Sequence, residues 1–175
     1  MVPQFVVALM AAAVSVMAEL NTHLVPLAAL KKLNDAQCSF PSSFTINDFK
    51  FWKPDSGNTD DEVFYDFNYV DALTNVITPC HLNGSSQPNG PAGLTARWPC
   101  DNKWVQFIWK EDTNRLTLIE QACPTEEPGF EASGNITPTF SCTEEPDLGG
   151  RGPGQLCSTP SYSANFTSLE PIPMD

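Results

Sequence analysis

Positive charge and histidine are scarce in this chain. Nine lysines and arginines stand against 21 aspartates and glutamates in 175 residues, a formal charge of −12, and there are two histidines. A protein that neutralises phosphates needs a basic stripe, and nine scattered cations do not make one. Nucleic acid and anionic membranes are therefore excluded as partners. Acidity of this size reads first as solubility. Few histidines leave little room for acid–base or metal chemistry. His23 lies near the amino terminus, and His81 follows Cys80 in a stretch rich in Gly and Pro, where a surface loop residue is expected. No G-x-S-x-G motif occurs, and no two cysteines have the close spacing of a zinc site. Nor does any apolar run after residue 18 approach the roughly 20 residues of a membrane span. No catalytic residue, metal or cofactor is expected.

What the chain does have is an exported character. Residues 1–18 carry no charged side chain, run apolar from Phe5 to Ala13, and end with Val16 and Ala18 at the small-residue positions of a signal peptidase site. A secreted, extracellular product is expected. Residues 19–37 form a separate segment. Leu24, Leu27, Leu30 and Leu33 recur at helical spacing beside the dibasic pair Lys31-Lys32, which fits a processed pro-segment or a flexible amphipathic arm. Residues 38–170 then make one domain, and residues 171–175 a short tail. Six cysteines in an exported chain imply three disulfides, although spacing alone does not choose the pairing. Three sequons, at Asn83, Asn135 and Asn165, are candidate glycosylation sites. Pro138, directly after Thr137, makes Asn135 the poorest acceptor.

From Ser39 onward the pattern is that of strands. Residues 44–52 are aromatic and β-branched and end in a turn cluster. Val63, Tyr65, Phe67 and Tyr69 alternate with Phe64, Asp66, Asn68 and Val70 as a half-buried strand does, and residues 73–80 follow closely enough for a hairpin. Further strands are expected over 94–98, 104–109 and 116–119, with a turn at 112–115, and near 129–133, 136–142 and 162–167. Residues 143–156 read as a loop held by its terminal cysteines. Short strands with turn signals predict an all-β antiparallel barrel or sandwich.

Paired carboxylates for glycoside hydrolysis would need a cleft and one raised pKa. Asp60-Asp61-Glu62, Glu111-Asp112, Glu126-Glu127 and Glu144-Glu145-Asp147 all stand in turn-like, solvated contexts. Residues 55–62 are rich in oxygen ligands but lack the EF-hand order. Among the aromatics, Trp104 is on the opposite parity from Val105, Phe107 and Trp109. If those three face the core, Trp104 faces out, where a Trp can anchor a partner. Trp104, Asp60, Asp61 and Glu62 are the candidate binding surface.

The opening strand 46–54, the strand running into Cys80, Cys100 before a polar residue and an aromatic strand, and the Gly-rich loop closed by Cys142 and Cys157 resemble the Alternaria major-allergen-like family. These are small β-barrel proteins secreted by ascomycete fungi. The resemblance covers about residues 38–170. It implies the bridges Cys80–Cys100 and Cys142–Cys157, and leaves Cys38 to pair with Cys123, a position the family pattern does not supply. Monomer and dimer stay open. The resemblance also implies an effector- or elicitor-like, allergen-like virulence protein. Such a protein would act without catalysis by binding a host extracellular protein of the plant apoplast. Two alternatives stand beside it: a carrier of a small aromatic or phenolic ligand, and an acidic-pH hydrolase using Glu111 or Glu126.

Overall fold

The computed structural model describes residues 39–55, 63–89, 95–123 and 129–172. The leader, the 19–37 segment, Cys38, Asp60, Asp61, Glu62 and Glu126 lie outside them.

The architecture starts from the strand β1 (Ser43–Pro54), twelve residues long. Its neighbour β2 (Phe64–Asp71) pairs Asn47 with Asn68 and then Lys50 with Asp66. Two residues of β1, Asp48 and Phe49, therefore oppose one of β2, which is a bulge. Asp48 has φ 56°, a conformation that short polar side chains tolerate. The bulge reverses the side-chain parity. Phe44 and Ile46 face inward before it and Phe49 and Phe51 after it, while Lys50 and Trp52 turn outward.

Two antiparallel sheets result. β3 (Val76–Leu82), β8 (Ser141–Glu145) and β9 (Gly154–Ser158) join β1 and β2 in the order β3-β2-β1-β9-β8. β10 (Tyr162–Asn165) pairs with the first half of β1. The second sheet contains β4 (Trp98–Pro99), β5 (Val105–Lys110), β6 (Arg115–Ala122), β7 (Phe130–Ile136) and β11 (Ser168–Pro171), in the order β11-β7-β6-β5-β4. Residues 143–156, expected to be a loop, contribute the end of β8 and the start of β9. Of the described residues in the expected strand 94–98, only Trp98 is in β4. The last strand reaches Pro171, and Ile172 still donates its N–H to Gly129.

The two sheets pack face to face as a sandwich and do not close into a barrel. Phe44, Ile46, Phe49 and Phe67 of the first sheet meet Val105, Phe107, Leu116 and Leu118 of the second, and the Phe67 and Phe107 rings cross at 5.1 Å. A smaller cluster of Phe40, Ala122, Cys123, Phe130, Ala132 and Leu169 is a second buried group. Burying each aromatic side chain is worth a few kcal/mol, so this rich core carries most of the stability.

The sheets are tied at both sides. Near β3 and β4 the Cys80–Cys100 disulfide joins them, and the Asp101 N–H donates to the Pro79 carbonyl at 3.0 Å. On the other side the chain passes from β10 to β11. There the Thr167 N–H donates to the Ser133 carbonyl at 2.7 Å. Gly134 allows this crossing, since a Cβ on it would stand 2.7 Å from the Asn165 carbonyl oxygen and 2.8 Å from the Phe44 ring.

Candidate functional site

Strand register brings chemistry together on the outer face of the first sheet. Lys50 of β1 is opposite Asp66 of β2, which is opposite His81 of β3. Parity points all three outward. His81 Nδ1 lies 2.9 Å from one Asp66 oxygen, and Lys50 Nζ lies 3.4 Å from the other. His81 is thus a strand residue held by a carboxylate, and not the loop residue expected from its Gly/Pro neighbourhood.

One row further along, Trp52 lies in register between Phe64 of β2 and Leu156 of β9. It points outward from the sandwich yet is fully buried. The Gly154 backbone of β9 sits directly against its ring, and the segment 146–153, between β8 and β9, reaches the neighbouring Phe64. The Arg151 guanidinium stacks over the Phe64 ring at 4.9 Å, and the Asp55 N–H donates to the Pro153 carbonyl. Within the segment the Asp147 carboxylate accepts from the Gly150 and Gly152 N–H groups at 2.8 and 3.1 Å. Both glycines have positive φ, which glycine alone adopts freely. The Cys142–Cys157 disulfide cross-links the paired strands at the base.

Between this segment and the ends of β2 and β3 is an open cleft of about 260 Å³. Phe64, Tyr65 and Leu148 line it together with Asp66, His81, Asn83 and Arg151. The orientation of His81 by Asp66 is the kind that prepares a general base. Among the described residues no serine, threonine or cysteine lines the cleft to be activated, and no second carboxylate lines it for glycoside chemistry. Among the described residues no group of three or more His, Cys, Asp or Glu is arranged to hold a metal. The arrangement can bind and orient a ligand.

The other candidates are spread over the surface. Trp104 is half-buried in the turn before β5. Its N–H donates to Asn102 Oδ1 at 3.0 Å, and Lys103 Nζ stands over its ring at 4.4 Å. Asn83, Asn135 and Asn165 are exposed. Asn83 Oδ1 accepts from both the N–H and the hydroxyl of Ser85, closing a turn beside the cleft. Glu111 is exposed and 3.9 Å from Lys53, and Glu144 accepts from Gln155. Cys123 is disulfide-bonded, and its expected partner Cys38 lies outside the described residues.

One group was missed entirely. Glu120 of β6 and Asp71 of β2 are buried in the sandwich. The Tyr69 hydroxyl donates a short hydrogen bond to Glu120 Oε2. Burial pushes the Glu120 pKa up, the Tyr69 and Thr74 hydroxyls oppose the rise, and Asp71 adds to it. Tyr69 is pushed up as well, first by burial and then by the Glu120 charge. Asp71 Oδ1 accepts from the N–H groups of Leu73 and Thr74 at 2.7 and 3.2 Å and so builds the β2–β3 turn. Neither residue is among the carboxylate clusters singled out from the sequence. The signal was available, because Glu120 shares parity with Leu116 and Leu118, and Asp71 with Tyr65 and Phe67.

No family model matches the sequence, and no curated protein matches it. Solved structures of the Alternaria alternata major allergen Alt a 1 are similar to this chain. One is 16% identical with a TM-score of 0.47, covering 76% of this chain and 96% of that one. Another is 16% identical with a TM-score of 0.49, covering 77% and 92%. These neighbours belong to the family whose strand and cysteine order the sequence resembles.

Proposed function

We propose that this is a secreted, effector-like protein that acts without catalysis by binding a host extracellular protein through the β2–β3 hairpin end of its first sheet. One observation carries the reading. Ile77 and Leu73 are 76% and 52% exposed, in a molecule whose other large apolar side chains are buried or half-buried among the described residues. Both lie at the tip of one hairpin, and Ile77 is opposite the half-buried Val70 on the outer face. Apolar side chains ringed by polar surface are the usual centre of a protein contact. Asp71 fixes the turn that presents them. A charge of −12 favours a basic partner and speeds its encounter.

The export signal and disulfides support the extracellular setting, and the plant apoplast is the setting the family resemblance implies. Hydrolysis has less support, since Glu111 is solvated and, among the described residues, Asp66 is the one carboxylate that lines the cleft. The test is a pull-down from plant apoplastic fluid with the mature protein, beside a reduced and alkylated control. A host protein retained only by the disulfide-intact form is expected. Retention of nothing at low salt, or equal retention by both forms, would overturn the reading.

A further inference from the structure

We infer that the segment 19–37 is the cover of the Ile77 and Leu73 tip: it lies on the tip in the uncut chain, and cleavage after Lys31-Lys32 exposes it. The inference rests on the reading of that tip as a contact surface and supplies its regulation.

The segment joins the domain at the right end. Phe40, just beyond it, is buried with its ring 6.4 Å from that of Phe130. Phe130 is opposite Ala122 of β6, two residues past Glu120, and Glu120 meets Tyr69 of β2. Tyr69 is two residues from Asp71, which builds the β2–β3 turn. The described chain therefore begins at the hairpin end of the sandwich and not at the cleft end. On the outer face Thr45 of β1 is opposite Val70, which is opposite Ile77. Ile77 is thus two strand spacings, roughly 10 Å, from β1. Cys123, the expected partner of Cys38, belongs to the same buried group as Phe40, so that bridge would hold the base of the segment here.

Length, apolarity and charge all fit. Leu33 is six residues before Ser39, a reach of up to roughly 20 Å in extended chain. At helical spacing, Leu24 to Leu33 would make an apolar stripe roughly 14 Å long, enough for Ile77, Leu73 and the half-buried Val70. Lys31 and Lys32 balance Glu19 and Asp35, so the whole charge of −12 belongs to the rest of the chain, and the lysine pair is drawn to it. Asp101 puts one exposed acid near the tip, since its N–H donates to the Pro79 carbonyl, two residues along β3 from Ile77.

Tethering decides the occupant. A segment on a short tether meets the patch at an effective concentration of about millimolar, so a small contact suffices. The same arithmetic gives the release. When a dibasic-specific endopeptidase hydrolyses the Lys32–Leu33 bond with one water, residues 19–32 lose their tether and dilute away.

Methyl NMR on two disulfide-intact forms, residues 19–175 and residues 33–175, reads the cover directly. In the longer form the Ile77 and Leu73 methyls should show Overhauser contacts to leucine methyls of residues 24–30. In the shorter form their signals should shift. Ile46 and Leu118, buried in the core, should keep their positions in both, which separates uncovering from misfolding. Leu27→Lys with Leu30→Lys in the longer form should give the Ile77 signal of the shorter one. Identical Ile77 and Leu73 signals in the two forms overturn the cover. So do contacts that grow with protein concentration, which would mark a second copy. In the pull-down from apoplastic fluid the shorter form should retain host protein at least tenfold better than the longer. Equal retention, with the methyl contacts present, overturns the gating. Retention by neither form, with the contacts present, upholds the cover and ends the host-contact reading.

Discussion

Single residues decide this fold where strand parity and side-chain chemistry disagree. Glu120 is polar on an apolar face, and the Tyr69 hydroxyl is what makes it tolerable. Its pKa is raised above the ordinary carboxylate value of 4.5, so the folded state holds this proton more tightly than the unfolded chain. The stability it contributes is full below that value and is lost as pH rises through the raised pKa. Unfolding by urea between pH 4 and 8 should show wild-type stability falling across this window. Glu120→Gln keeps an acceptor for Tyr69 and should remove that part of the slope. Tyr69→Phe should cost about 1–3 kcal/mol, because it leaves a buried carboxyl without its donor. Gly134→Ala is a separate residue-level case. Its new Cβ meets the Asn165 backbone and Phe44, and a loss of about 1–3 kcal/mol is expected as a lowered thermal midpoint.

At the scale of elements, much of the strand pattern was legible in the sequence. Tyr65, Phe67 and Tyr69 alternate as a half-buried strand must, and the β2–β3 and β5–β6 hairpins follow from their turn residues. The β1 bulge was not announced, because it depends on Asp48 adopting a positive φ, and it alone explains why Trp52 faces out. The β8–β9 hairpin was hidden for another reason. Its strand β8 is almost wholly exposed, so no alternation marks it, and its order comes from pairing with β9 and from the Cys142–Cys157 bridge. The bridge spans 15 residues and should stabilise by about 3 kcal/mol on the chain-entropy model. Replacing both cysteines with serine should loosen the β8–β9 hairpin, whose Gly154 packs on Trp52, seen as a red-shifted tryptophan emission, while the far-ultraviolet spectrum stays that of β-sheet.

On the scale of the whole molecule, the outer face of the first sheet concentrates the features that point to binding. It has an apolar hairpin tip at one end and a small cleft at the other, on a chain that is strongly acidic. Composition showed the acidity, and the apolar, uncharged run at residues 1–18 is the pattern from which export is expected. Neither exposed apolar tip was legible, because Ile77 and Leu73 look like ordinary strand residues until the sheet order leaves β3 at an edge. The most direct measurement compares wild-type and Ile77→Lys mature protein in the apoplastic-fluid pull-down, at matched disulfide content. Ile77→Lys changes an exposed side chain and should fold normally. A host protein retained by the wild type and reduced at least tenfold on the variant is the predicted result. Equal retention by the two would contradict the proposed contact.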